Sequence, residues 1–127
     1  MKFLLPLSLS LFTLLSVSPT ARAQTAPASV QAATKSSTAT AQFKTSAVCE
    51  MCKARIEKSL AYEKGVQSAV LDVPTQVVTV TYKTDKTTPA ALRIAVQKTG
   101  YDADELTADA RAYSRLPDCC KKTNAVH

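Results

Sequence analysis

Between residues 43 and 106 the spacing of apolar positions switches back and forth between a strand period and a helix period. Phe43, Thr45 and Ala47 alternate with Lys44 and Ser46, which fits a short strand with one buried face. From Cys52 the spacing becomes helical: Ile56 and Leu60 share a face, with Arg55, Glu57 and Lys58 around the rest. Glu63-Lys64-Gly65 stops that helix, with Gly65 as a left-handed cap. Val66 to Val73 carries apolar residues at Val66, Ala69, Leu71 and Val73, a second strand in which the step from Val66 to Ala69 breaks strict alternation. Pro74-Thr75-Gln76 turns the chain into Val77 to Tyr82, the clearest strand of all, with Val78, Val80 and Tyr82 on one face. After the polar stretch 83–87, Thr88-Pro89 reads as an N-cap followed by proline at the first helical position. Ala91, Leu92, Ala95 and Val96 then repeat at helical spacing until Gly100, and Tyr101 to Leu106 is expected to form a short last strand.

The resulting order, β-α-β-β-α-β, is the split βαβ arrangement. The expected architecture is an α+β, ferredoxin-like sandwich: a four-stranded antiparallel sheet with two helices on one face. Its expected core is Phe43, Ile56, Leu60, Val66, Leu71, Val78, Val80, Leu92 and Val96. A core that small implies marginal stability.

The N-terminus changes how the rest is read. Lys2 precedes an apolar run from Phe3 to Val17, and Ala21-Arg22-Ala23 supplies small residues where a signal peptidase reads. Residues 1–23 are therefore expected to be a secretory signal, cut before Gln24. The run is about 15 residues long, short of the roughly 20 that a membrane helix needs, so no stable insertion is expected after cleavage. Removing the first 23 of 127 residues leaves 104, enough for one small domain. Residues 24–41, rich in Ala, Ser, Thr and Gln, are expected to be a flexible linker, 42–107 the domain and 108–127 a C-terminal tail. Within that tail, 107–116 is expected to form one short helix, Pro117 to break it, and Lys121 to His127 to fray.

Lys2 and Arg22 account for two of the net +6 charges. The remaining basic residues are scattered, aromatics are few and Trp is absent, which excludes a nucleic-acid-binding surface. Asp102, Asp104 and Glu105 form the only acidic cluster and read as a solvated edge strand. No Ser-His-Asp set and no Gly-rich phosphate loop is present, so the chain is not expected to be an enzyme.

The chemistry lies in four cysteines. Cys49 and Cys52 flank Glu50-Met51 on the turn that opens the first helix, and Cys119-Cys120 sit in the tail. A helix N-terminus presents unpaired N–H groups and a partial positive charge, both of which favour thiolate; Lys53 and Arg55 add to this and Glu50 opposes it. Two thiolates suit a soft ion, Cu(I) above all, with Hg(II) also possible; a closed zinc site needs four ligands, so Zn(II) would require the tail. Met51 is expected to face solvent, and Tyr101 either to shield the loop or to be a half-buried aromatic at a strand start. For the tail pair three readings stand: a thiol donated to the ion, a disulfide with Cys49 or Cys52, or a separate metal-catching end with His127. The same C-x-x-C could instead serve a thiol–disulfide redox protein, and four cysteines in an exported chain could staple a binding module.

Cys49-Glu50-Met51-Cys52, Lys64-Gly65-Val66, Val77 to Tyr82 and Lys98-Thr99-Gly100-Tyr101 together resemble the heavy-metal-associated domain of copper chaperones, periplasmic mercury-binding proteins and the N-terminal modules of metal-transporting ATPases. The family usually has Gly-Met-Thr before the first cysteine, where this chain has Ser46-Ala47-Val48. The resemblance implies one soft ion held by Cys49 and Cys52, and carriage or sequestration in the periplasm or outside the cell. It also implies thiolate exchange with a metal transporter, an efflux component or a copper enzyme.

Overall fold

The computed structural model describes residues 37–127. The expected signal at 1–23, and the part of the expected linker up to residue 36, lie outside the described residues. Three strands form one antiparallel sheet in the order β1-β3-β2: β1 (Thr38–Lys44), β2 (Val66–Asp72) and β3 (Val77–Lys83). Among the described residues α1 (Glu50–Ala61) follows β1, α2 (Pro89–Lys98) follows β3, and the short α3 (Ala110–Ser114) and a 3-10 turn, Asp118–Cys120, come last.

The first strand lies earlier than its alternation suggested. Thr38 to Lys44 pairs residue by residue with Lys83 to Val77, so Thr38–Ala41, expected in the linker, belongs to the sheet. Alanine is a weak strand former and hides this signal, yet Ala41 and Phe43 are buried and Ala39 is half-buried, while Thr38, Thr40 and Gln42 are exposed. The broken alternation in β2 has a simple cause. Val66 pairs with Tyr82 and Ser68 with Thr81, so Gln67 is an extra residue, a bulge that restores Ala69 and Leu71 to the inner face.

The expected fourth strand is not formed as a strand. Residues 101–106 make an isolated antiparallel bridge, Thr45 to Ala103, and a tight turn in which Ala103 bridges Leu106. Asp104 adopts φ 48°, and such left-handed backbone interrupts a ladder. Its side chain explains the turn: Oδ1 accepts from the Lys44 amide at 2.8 Å and Oδ2 from Arg93 Nε at 2.8 Å. Asp104 thus locks a turn, and Asp102, Asp104 and Glu105 do not form the expected edge strand.

Ile56 and Leu60 of α1 and Leu92, Ala95 and Val96 of α2 pack with Phe43, Leu71, Val78 and Val80 in one buried cluster. Every expected core residue is buried except Val66, which is half-buried at its margin. Thr88 caps α2 through its hydroxyl to Ala91 N at 3.2 Å, with Pro89 at the first position as the sequence indicated. The cluster also takes in Ala47, Val48, Cys49, Cys52, Tyr101, Ala103, Leu116 and Cys120. The core therefore extends under the cysteine loop and into the tail.

Candidate metal centre

The loop between β1 and α1 is held from three sides. Gln76, at φ 61° in the β2–β3 turn, donates through Nε2 to the Ala47 carbonyl at 2.8 Å, and its own carbonyl accepts from Thr45 N at 2.8 Å. Ser46 Oγ accepts from Asp102 N at 2.9 Å. The Val48 carbonyl accepts from the amide of His127, the last residue, at 2.8 Å. Ser46-Ala47-Val48 is buried as a result.

Cys49 is the N-cap of α1, in extended conformation, and its carbonyl accepts the first helical bond from Lys53 N at 3.1 Å. Cys52 lies in the first turn and is fully buried. The Cys49 and Cys52 sulfurs are 3.2 Å apart. Burial of Cys49 acts to raise its pKa, but the Cys52 thiol, the Cys120 thiol and the N–H groups of Cys52 and Met51 outweigh it, and the net shift is downward. The two N–H groups act through their field, since no formal capping hydrogen bond to the sulfur is closed.

The tail does not fray. Leu116 is buried, Lys122 Nζ pairs with Asp102 Oδ2 at 3.0 Å, Lys121 Nζ donates to the Tyr113 carbonyl at 2.6 Å, and His127 closes on Val48. Gly100 lets α3 approach: at φ 99° it lies where side chains are disfavoured, and a Cβ there would sit 2.9 Å from the Ala112 carbonyl carbon. The docked tail brings Cys120 into the core, with its sulfur 3.8 Å from that of Cys49. Cys119 stays exposed, with its sulfur 3.9 Å from that of Cys120. Burial first and the Cys52 sulfur next push the Cys120 thiol up to about 12, opposed by the Tyr101 hydroxyl, with a lesser upward contribution from the Cys49 sulfur.

Tyr101 is fully buried, and its hydroxyl has no partner in hydrogen-bond geometry. It faces Cys52 and Cys120; burial first and then these sulfurs raise its pKa, so it stays a neutral phenol. An orphaned donor above a group of sulfurs is what a soft, anionic metal–thiolate centre would accommodate. Met51 is about half exposed. All four cysteines are free thiols, so the arrangement is a reduced one. The sequence left the tail open: a thiol brought back to the loop was one of three readings for Cys119-Cys120, while Lys121 to His127 was expected to fray, and the lone apolar Leu116 before Pro117 was a further cue to docking.

A split βαβ frame with a dithiol at the first strand-to-helix turn defines a class of small metal-binding modules. The heavy-metal-associated domain model matches residues 42–102, and the chain belongs to that family. Among solved structures it is similar to a CopZ metallochaperone, at 26% identity over 51% of this chain and 98% of that one, with TM-score 0.50. It is also similar to the N-terminal domain of a potential copper-translocating P-type ATPase from Bacillus subtilis in the Cu(I)-loaded state, at 33% identity over 54% and 86%, with TM-score 0.51. Oxidized MerP from Ralstonia metallidurans CH34, at 23% identity over 54% and 96% with TM-score 0.52, shares the fold. A comparison with curated proteins finds no match. The docked tail lies outside the residues matched by the family model.

Proposed function

We propose that this chain is an exported binding protein for one soft metal ion, Cu(I), held by Cys49 and Cys52 and either carried to a partner or sequestered, without catalysing a reaction. The observation that carries this reading is the pair of sulfurs 3.2 Å apart at the start of α1, one of them with a lowered pKa, in a heavy-metal-associated frame. Thiols must lose their protons to bind an ion, and an acidified cysteine at a helix N-terminus loses its proton more readily. The ion is cargo. A low-coordinate soft ion accepts a further thiolate, so a transporter, an efflux component or a copper enzyme with its own cysteines can take it over stepwise. Similarity to a metallochaperone and to a Cu(I)-loaded ATPase domain supports this choice of ion and partner. The pattern of residues 1–23 supports export to the periplasm or beyond.

Anaerobic titration against a chromophoric Cu(I) chelator tests the reading. One Cu(I) per chain is expected, and Cys49→Ser with Cys52→Ser should abolish it. Stoichiometric binding in that double variant, or a clear preference for Hg(II) or Zn(II) over Cu(I), would refute the assignment.

A further inference from the structure

The four sulfurs form one cluster, from buried Cys52 to Cys49, on to Cys120 and out to exposed Cys119, with successive separations of 3.2, 3.8 and 3.9 Å. The sulfurs of Cys49, Cys119 and Cys120 all lie within 4.8 Å of one another. We propose that Cys49, Cys119 and Cys120 form a second, three-thiolate station for the same soft ion, which shares Cys49 with the Cys49–Cys52 pair, exchanges the ion with it and is the outer station from which the ion is handed on. The inference rests on the reading of the chain as a soft-metal protein and adds a site built by the tail.

Geometry favours this trio. With metal–sulfur bonds of about 2.3 Å, three sulfurs around a trigonal ion stand about 4 Å apart, and two sulfurs across a linear ion about 4.6 Å apart. The tail trio already has two edges of 3.8 and 3.9 Å. The Cys49–Cys52 pair, at 3.2 Å, has to open by more than 1 Å to hold an ion linearly. The tail is also positioned independently of its thiols. Lys122 on Asp102, His127 on Val48 and buried Leu116 fix both sides of Cys119-Cys120. A fixed ligand loses less conformational entropy on binding than a free one.

The trio also resolves an access problem. Cys52 is fully buried and Cys49 nearly so, whereas thiolate exchange needs a sulfur that a partner can reach. Cys119 is exposed and one ligand away from Cys49. An ion can therefore enter at Cys119, settle on the trio, and reach Cys52 by exchange at the shared Cys49. Each thiol that binds releases its proton to solvent, and Cu(I) keeps its oxidation state throughout.

The test uses the reduced full chain loaded anaerobically with one equivalent of Cu(I). X-ray absorption should count three sulfur neighbours, and maleimide labelling of Cys119 should slow at least tenfold relative to the metal-free chain. In the Cys119→Ser/Cys120→Ser variant the count should fall to two, on Cys49 and Cys52. Two sulfurs in the unsubstituted chain, with Cys119 labelled equally fast with and without copper, would overturn the proposal, and this measurement depends on no variant folding. Failure of the Cys49–Cys52 reading shows separately: the tail variant would then bind no copper while the unsubstituted chain still shows three sulfurs.

Discussion

Replacing Gly100 by alanine tests whether the tail belongs to the domain. The residue sits at φ 99°, where an L side chain costs about 1–2 kcal/mol of backbone strain. The new Cβ would lie 2.9 Å from both the Ala112 carbonyl carbon and Tyr113 N, and both are backbone atoms with no flexible side chain to swing aside. Carbon contacts relax near 3.5 Å or beyond, so α3 must move by roughly half an ångström or more, at an overpacking cost of about 1–3 kcal/mol. The smaller conformational freedom of alanine in the unfolded chain returns about 0.4–1 kcal/mol. The net loss is about 1–5 kcal/mol, a large part of the stability of a small domain. Urea unfolding measures that loss, and thiol labelling shows where it falls. The native reduced chain should label rapidly at Cys119 alone, because Cys49, Cys52 and Cys120 are buried. Gly100→Ala should add Cys120 to the fast class under native conditions, because displacement of α3 lifts Leu116 and the turn that follows it. A variant within 0.5 kcal/mol of the parent, with Cys120 still protected, would refute this account of the tail.

Asp104→Asn keeps a residue tolerant of left-handed backbone but removes the charge facing Arg93. Burial acts to raise the pKa of Asp104, but the Lys44 amide and Arg93 outweigh it and hold the carboxyl below its usual value. Its contribution is therefore complete above about pH 4 and is lost as pH falls through the lower folded-state value. The variant should be about 0.5 kcal/mol less stable at pH 7, the scale of a solvent-screened pair, and the gap should close in acid; a gap that widens in acid would contradict the sign. Tyr101→Phe removes a buried hydroxyl without a partner, so the metal-free chain should be unchanged or about 1 kcal/mol more stable by thermal unfolding. A loss above about 1 kcal/mol would show that the hydroxyl is bonded in solution.

The local elements could be read from the sequence because each rests on short-range patterns. Ile56 and Leu60 mark α1, Thr88-Pro89 starts α2, and Val78, Val80 and Tyr82 define β3. The placement of Cys49 and Cys52 at a helix start followed from these elements, and with it the class of ion. Three features did not follow, because each depends on residues far apart in the chain. The position of β1 depends on pairing with β3, in which Thr38 meets Lys83. The last strand gives way to a turn because Asp104 finds Lys44 and Arg93.

The cluster of sulfurs is likewise tertiary. Cys120 lies 71 positions from Cys49 and meets it only because Leu116, Lys122 and His127 find partners on the domain. By itself the sequence determined that a dithiol opens a helix in a metal-binding frame, since strand, helix and cap are local preferences. Only the folded chain decided that the tail closes over that dithiol and that its thiols stand in reach of Cys49. Packing and hydrogen bonding between distant residues set that geometry, and no spacing along the chain encodes it.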